Sequence, residues 1–201
     1  MRMLALGDSY TTGTGAAPAD RWPVQLGVLL TSRGFNLEPP EIVAANGWTT
    51  IDLRKAITAT TLTPPYDLLT LLIGVNDQFD RLGAERYREG FSRLLQIAIE
   101  LTCGQAEHVI VLSIPDYSET PFAQSMDTQT IRSELDAFNM INHKLSIEAA
   151  AQYVDITSIS RQVAEAPSLL AEDGLHPSGK MYAQWAQLVL PLAEEILSHK
   201  L

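Results

Sequence analysis

Leu68-Leu69-Thr70-Leu71-Leu72-Ile73 runs straight into Gly74-Val75-Asn76-Asp77. Apolar residues stand at successive rather than alternate positions, so a strand here is buried on both faces, as the strands of a helix-covered parallel sheet must be. Four other short runs share the pattern: Met3–Leu6, Glu41–Ala45, His108–Ile114 and Tyr153–Ile156. Between them, Trp22–Arg33, Thr50–Thr58, Glu85–Leu101, Thr128–Ala151 and Ser178–Ser198 carry apolar residues at three- and four-residue steps, as in Phe91, Leu94, Leu95, Ala98 and Leu101. Strand alternating with helix predicts βαβ units: an α/β fold, a three-layer α/β/α sandwich with a central, mostly parallel five-stranded sheet.

No repeat, low-complexity linker or charge block divides the 201 residues, so the chain reads as one domain over 1–201. A chain of this length buries roughly 70% of its unfolded surface without disulfide staples. The formal net charge of −10 speaks against nucleic acid or an anionic membrane as a partner. No stretch approaches the ~18 apolar residues of a membrane span, so no integral membrane segment is expected. After Met1-Arg2-Met3-Leu4-Ala5-Leu6 the chain turns polar, without a signal-peptide core, and a cytoplasmic location is the expectation. The single cysteine, Cys103, cannot pair internally; near the end of an apolar helical stretch, it reads as a buried, inert thiol.

The chemistry lies where predicted strands end. Ser9, in Leu6-Gly7-Asp8-Ser9-Tyr10, follows the first strand, where a serine can expose its hydroxyl and offer its own N–H to a developing oxyanion. Taken alone it also reads as a turn residue. A serine nucleophile needs a base and a carboxylate to orient that base, and Asp173-Gly174-Leu175-His176-Pro177 supplies both, three residues apart. Gly47, in Asn46-Gly47-Trp48, follows the second strand, and Asn76 follows the third. Each alone is a credible turn residue; together with the Ser9 N–H they make a three-donor oxyanion hole. Trp48, Phe79, Tyr117 and Phe122 adjoin these positions and are candidate substrate contacts, with ordinary loop packing the alternative for each. No cluster of His, Cys and carboxylates stands at ligand spacing, so neither a metal nor another cofactor is called for.

The combination of Gly7-Asp8-Ser9-Tyr10, Asn46-Gly47, Gly74-Val75-Asn76-Asp77 and Asp173-Gly174-Leu175-His176-Pro177 resembles the SGNH hydrolase superfamily, the GDSL esterase/lipase family, across essentially the whole chain. The first block has Tyr10 where the family name has leucine, which leaves the nucleophile untouched. The resemblance implies a flavodoxin-like SGNH hydrolase fold. It also implies a serine esterase with Ser9 as nucleophile, His176 as base, Asp173 as orienting acid, and Ser9, Gly47 and Asn76 as oxyanion donors. The implied substrate is a small-molecule carboxylic ester, with a short acyl or acetyl group favoured over the lysophospholipase or thioesterase specificities that the family also holds. A catalytically silent binding protein on the same fold is the competing reading. A nucleotide-binding domain is disfavoured because Gly13-Thr14-Gly15 completes neither G-x-G-x-x-G nor G-x-x-x-x-G-K-[ST]. The α/β-hydrolase elbow G-x-S-x-G is absent around Ser9.

Overall fold

The computed structural model describes residues 1–199. Strands β1 (Met3–Gly7), β2 (Glu41–Ala44), β3 (Leu68–Leu72), β4 (Val109–Leu112) and β5 (Gln152–Val154) form one sheet in the order β2-β1-β3-β4-β5. Every neighbouring pair is parallel, so the sheet is wholly rather than mostly parallel. The central strands β1, β3 and β4 are buried along their full length, which is why no alternation marks them. The edge strands β2 and β5 are partly exposed and admit Glu41 and Gln152. At their C-terminal ends the last four predicted runs overshoot the ladder by one or two residues, because Ala45, Ile73 and Asp155 already belong to the loops that turn over the sheet edge, while the first stops one residue short, at Leu6.

Helices α2 (Trp22–Ser32) and α8 (Gly179–Ser198) pack together on one face, while α3 (Thr50–Ala59), α5 (Ala84–Leu101) and α6 (Thr128–Glu148) cover the other. This division follows from right-handed crossovers, since the chain steps from β1 to β2 in one direction and from β2 to β5 in the other. On α5 the buried stripe is Tyr87, Phe91, Leu94, Leu95 and Ala98; on α8 it includes Met181, Tyr182, Trp185, Ala186 and Val189. Each large side chain fully buried there contributes roughly 1.5–3 kcal/mol. Among the described residues, no helix is long and apolar enough to cross a membrane.

Three short helices, α1 (Ser9–Thr12), α4 (Val75–Phe79) and α7 (Thr157–Ser160), escape the periodicity reading because about one turn shows no 3.6-residue repeat. Each follows the carboxyl end of a strand. Cys103 departs from expectation in another way. It is exposed, because α5 stops at Leu101 and Cys103 sits in the following turn at φ 56°, off the buried stripe.

Gly90 on α5 shows how closely the helices meet. A Cβ there would lie 2.3 Å from Thr50 Oγ1, and that hydroxyl donates to Asp77 Oδ1 at 2.6 Å. Helix propensity alone favours Gly90→Ala by about 1 kcal/mol. Because Thr50 cannot turn away without losing a buried bond, overpacking of about 1–3 kcal/mol is expected to prevail. The expected outcome is a Tm several degrees below wild type in a thermal melt; a Tm at or above wild type would show that Thr50 is free to move.

Candidate active site

Parallel pairing brings three strand ends to one place. Gly7 stands opposite Ala44 of β2 and Leu72 of β3, so the residues just beyond all three strands share one crevice. That crevice is the topological switch point of the sheet, where the chain leaves β1 in opposite directions. A cleft of about 190 Å³ opens there, lined among others by Ser9, Gly47, Asn76, Phe79, Phe122 and His176.

Ser9 is the first residue of α1, capped by Asp8, whose Oδ1 accepts from the Tyr10 N–H at 3.0 Å. At that position the Ser9 N–H has no carbonyl within the helix to donate to and can serve an external oxygen. Gly47 adopts φ 76°, the left-handed region that favours glycine. Asn76 lies one residue inside α4, and its Nδ2 donates to the Trp48 carbonyl at 2.9 Å, which orients the amide. The turn into α4 needs Gly74. It sits at φ 132°, and a Cβ there would meet the Tyr87 ring at 2.5 Å and Ile114 at 2.7 Å.

The loop that carries Asp173 and His176 is built independently. His176 Nδ1 and Asp173 Oδ2 are 2.6 Å apart, and Asp173 Oδ1 accepts from the backbone N–H groups of Leu175 and His176 at 3.0 and 2.9 Å. Burial alone would raise the Asp173 pKa; the His176 ring and the two N–H donors outweigh it and hold the carboxylate below its ordinary range. The loop closes on itself through Ala171 N–H to the His176 carbonyl at 2.8 Å. Ser178 caps α8 by position, but its hydroxyl donates to the Ser168 carbonyl instead. The Tyr10 ring packs against His176 at 5.8 Å between centroids.

The structure thus brings Ser9, Gly47, Asn76 and His176 to one cleft, with Asp173 behind His176. Of the candidate substrate contacts, Phe79, Tyr117 and Phe122 form a mutual aromatic cluster, with centroids 6.3–6.4 Å apart, along the cleft wall. Trp48 is not in that lining; it is half-buried, packs against the core, and contributes its carbonyl to Asn76.

Several supporting residues give no sequence signal of their own. Asp77 accepts from both the N–H and the hydroxyl of Thr50, at 2.9 and 2.6 Å, tying α4 to the start of α3. Gly15 belongs to no phosphate loop: a Cβ there would lie 2.7 Å from Ala171 and 3.6 Å from Asp173 Oδ2, so the α1 loop packs against the Asp173–His176 loop. Asp116, buried, is held by Arg161 Nε at 2.8 Å and by the Ser118 N–H at 2.8 Å, which anchors the loop carrying Tyr117.

A wholly parallel sheet of this order, with such a cleft at its carboxyl edge, is a flavodoxin-like α/β/α architecture. The chain matches the GDSL-like lipase/acylhydrolase family over residues 5–184 and belongs to that family, which makes it an ester-hydrolysing enzyme. No curated protein sequence matches it significantly. Similar solved structures include TesA (16% identity, 98% of this chain and 100% of that chain, TM-score 0.77). An acetylxylan esterase from Geobacillus stearothermophilus is also similar (19%, 96% and 93%, TM-score 0.73). So is a lipase/acylhydrolase from Enterococcus faecalis (20%, 99% and 97%, TM-score 0.73). These likenesses show the shared fold.

Asp8, beside Ser9, is fully buried, and its Oδ2 has no hydrogen-bond partner. Burial, with a smaller contribution from nearby Asp77, pushes its pKa up to about 7 against the favourable Tyr10 N–H. A raised pKa means that the folded state holds a proton which the unfolded state has released, so stability falls as pH rises from about 4 to 7. By pH 8 the penalty is on the order of 4 kcal/mol. Relative to wild type, Asp8→Asn is expected to gain stability between pH 5 and pH 8, by roughly 3 kcal/mol in denaturant unfolding. An identical difference at both pH values would contradict a protonated Asp8.

Proposed function

We propose that this enzyme hydrolyses carboxylic esters of short acyl groups, acetyl among them, through a Ser9–His176–Asp173 triad and a covalent acyl-enzyme. The observation that carries the reading is the 2.6 Å contact between His176 Nδ1 and Asp173, on a ring that lines the same cleft as Ser9. With Nδ1–H donated to Asp173, Nε2 carries the lone pair and is the nitrogen able to take a proton. His176 removes the Ser9 proton as Oγ attacks the ester carbonyl. The oxyanion is met by the Ser9 and Gly47 N–H groups and by the Asn76 N–H that is not given to Trp48. Collapse expels the alcohol, protonated by His176, and water repeats the sequence on the acyl-enzyme. Low Asp173 basicity suits this role, since the carboxylate stays ionised and stabilises the imidazolium.

Cleft size supports a small acyl group. At about 190 Å³ it is below the ~300–1,000 Å³ of pockets that enclose drug-sized ligands. Acetylxylan esterases among the similar structures agree with that size.

On p-nitrophenyl acetate, Ser9→Ala and His176→Ala are each expected to lower kcat by about 10⁶-fold, and Asp173→Asn by less, about 10⁴-fold. Asn76→Ala is expected to cost about 10²–10³. Acetate should be preferred to octanoate across a p-nitrophenyl ester series. Wild-type turnover by Ser9→Ala would overturn the assignment of the nucleophile.

A further inference from the structure

Phe79 and Tyr117 line the catalytic cleft on one side and a second, larger groove of about 630 Å³ on the other. The two spaces differ in chemistry. The groove adds Gln78, Arg81, Asp127 and Glu134 to the aromatic wall. Resting on the ester-hydrolysing reading above, we propose that this groove is the subsite for the alcohol part of the ester. It takes a neutral, polyhydroxylated alcohol whose apolar face lies on Phe79 and whose hydroxyls engage Glu134 and Arg81.

The supports of the groove are fixed from the cleft outward. Tyr117 Oη donates to Gln78 Oε1 at 2.8 Å, and Gln78 Nε2 donates to Glu134 Oε2 at 2.7 Å. Gln78 is therefore held at both ends of its amide, and Glu134 is positioned as an acceptor for further donors. Asp127 caps α6, accepting from the Thr130 N–H and hydroxyl at 3.1 and 2.7 Å, and is also committed. Arg81 is different. It is exposed, and among the described residues no carboxylate lies within ion-pair distance of it. One uncommitted donor set and one positioned acceptor in the same groove as an aromatic side chain suit a molecule that both donates and accepts.

Charge and polarity exclude the other classes of alcohol. Two carboxylates against one guanidinium repel a phosphorylated or carboxylated leaving group, and a cationic one would bring no acceptor for Arg81. A long alkyl alcohol would cover these polar groups without satisfying them. Among the described residues, three of the seven exposed large apolar side chains, Phe79, Phe122 and Met126, line the cleft or the groove, at 48%, 40% and 37% exposure. Clustering of this kind marks a binding platform rather than scattered surface.

The test holds the acyl group constant and varies the alcohol: kcat/KM for 6-O-acetylglucose, ethyl acetate and octyl acetate, in wild type, Arg81→Ala and Glu134→Gln. Wild type is expected to favour 6-O-acetylglucose over ethyl acetate by at least about 10-fold. Each substitution should reduce that ratio by roughly 10-fold, through KM, as loss of a charge-assisted hydrogen bond does. A wild-type ratio near one, a preference for octyl acetate, or a ratio unmoved by both substitutions would overturn the subsite. Wild-type hydrolysis of none of the three esters would instead refute the short-chain esterase reading, and the subsite with it.

Discussion

The parallel register of β1 with both β2 and β3 is the constraint on which the cleft depends. Gly7 faces Ala44 on one side and Leu72 on the other, so three chain segments leave the sheet within a few residues of one another. Ser9, Gly47 and Asn76 inherit their proximity from that register, although up to 67 positions separate them in sequence. The Asp173–His176 loop arrives from the far end of the chain, set in place by α8 and by close packing against Gly15.

Proximity is not yet geometry, and buried polar bonds supply the rest. Thr50 and Asp77 join α3 to α4; the Trp48 carbonyl fixes the Asn76 amide; Asp116 and Arg161 hold the aromatic loop. Bonds of this kind contribute about 1 kcal/mol each when made, but leaving a buried partner unsatisfied costs more, about 1–3 kcal/mol. The crevice therefore resists relaxation, as the proposed oxyanion site requires. Asp8 is the exception, a buried carboxyl with one unpartnered oxygen beside the Ser9 amide. With its pKa pushed up to about 7 by burial, it carries less negative charge at neutral pH than an ordinary carboxylate would where the oxyanion would form.

Much of this was legible in the sequence. Strands buried on both faces leave unbroken apolar runs, and helices covering a sheet leave a 3.6-residue stripe, so all five strands and the five long helices could be read. The one-turn helices α1, α4 and α7 could not, because they are shorter than the period that would reveal them. Trp48, a candidate substrate contact by position, turns inward because its carbonyl and ring serve the loop rather than the cleft. The bond between Asp77 and Thr50 carried no signal, since each finds its partner 27 residues away. The order of strands, and hence the crevice itself, is a product of long-range pairing that local patterns do not encode.

Positions along the chain thus become chemistry through the sheet: a strand end offers a hydroxyl and an amide, a neighbouring strand end an oriented carboxamide, and a distant loop a paired imidazole. Whether those parts activate Ser9 is the central claim, and covalent labelling reads it without reference to any substrate. Intact-mass analysis after fluorophosphonate treatment should show one adduct on the wild type and none on Ser9→Ala. A folded wild type that takes no label, or an adduct that persists in Ser9→Ala, would contradict it.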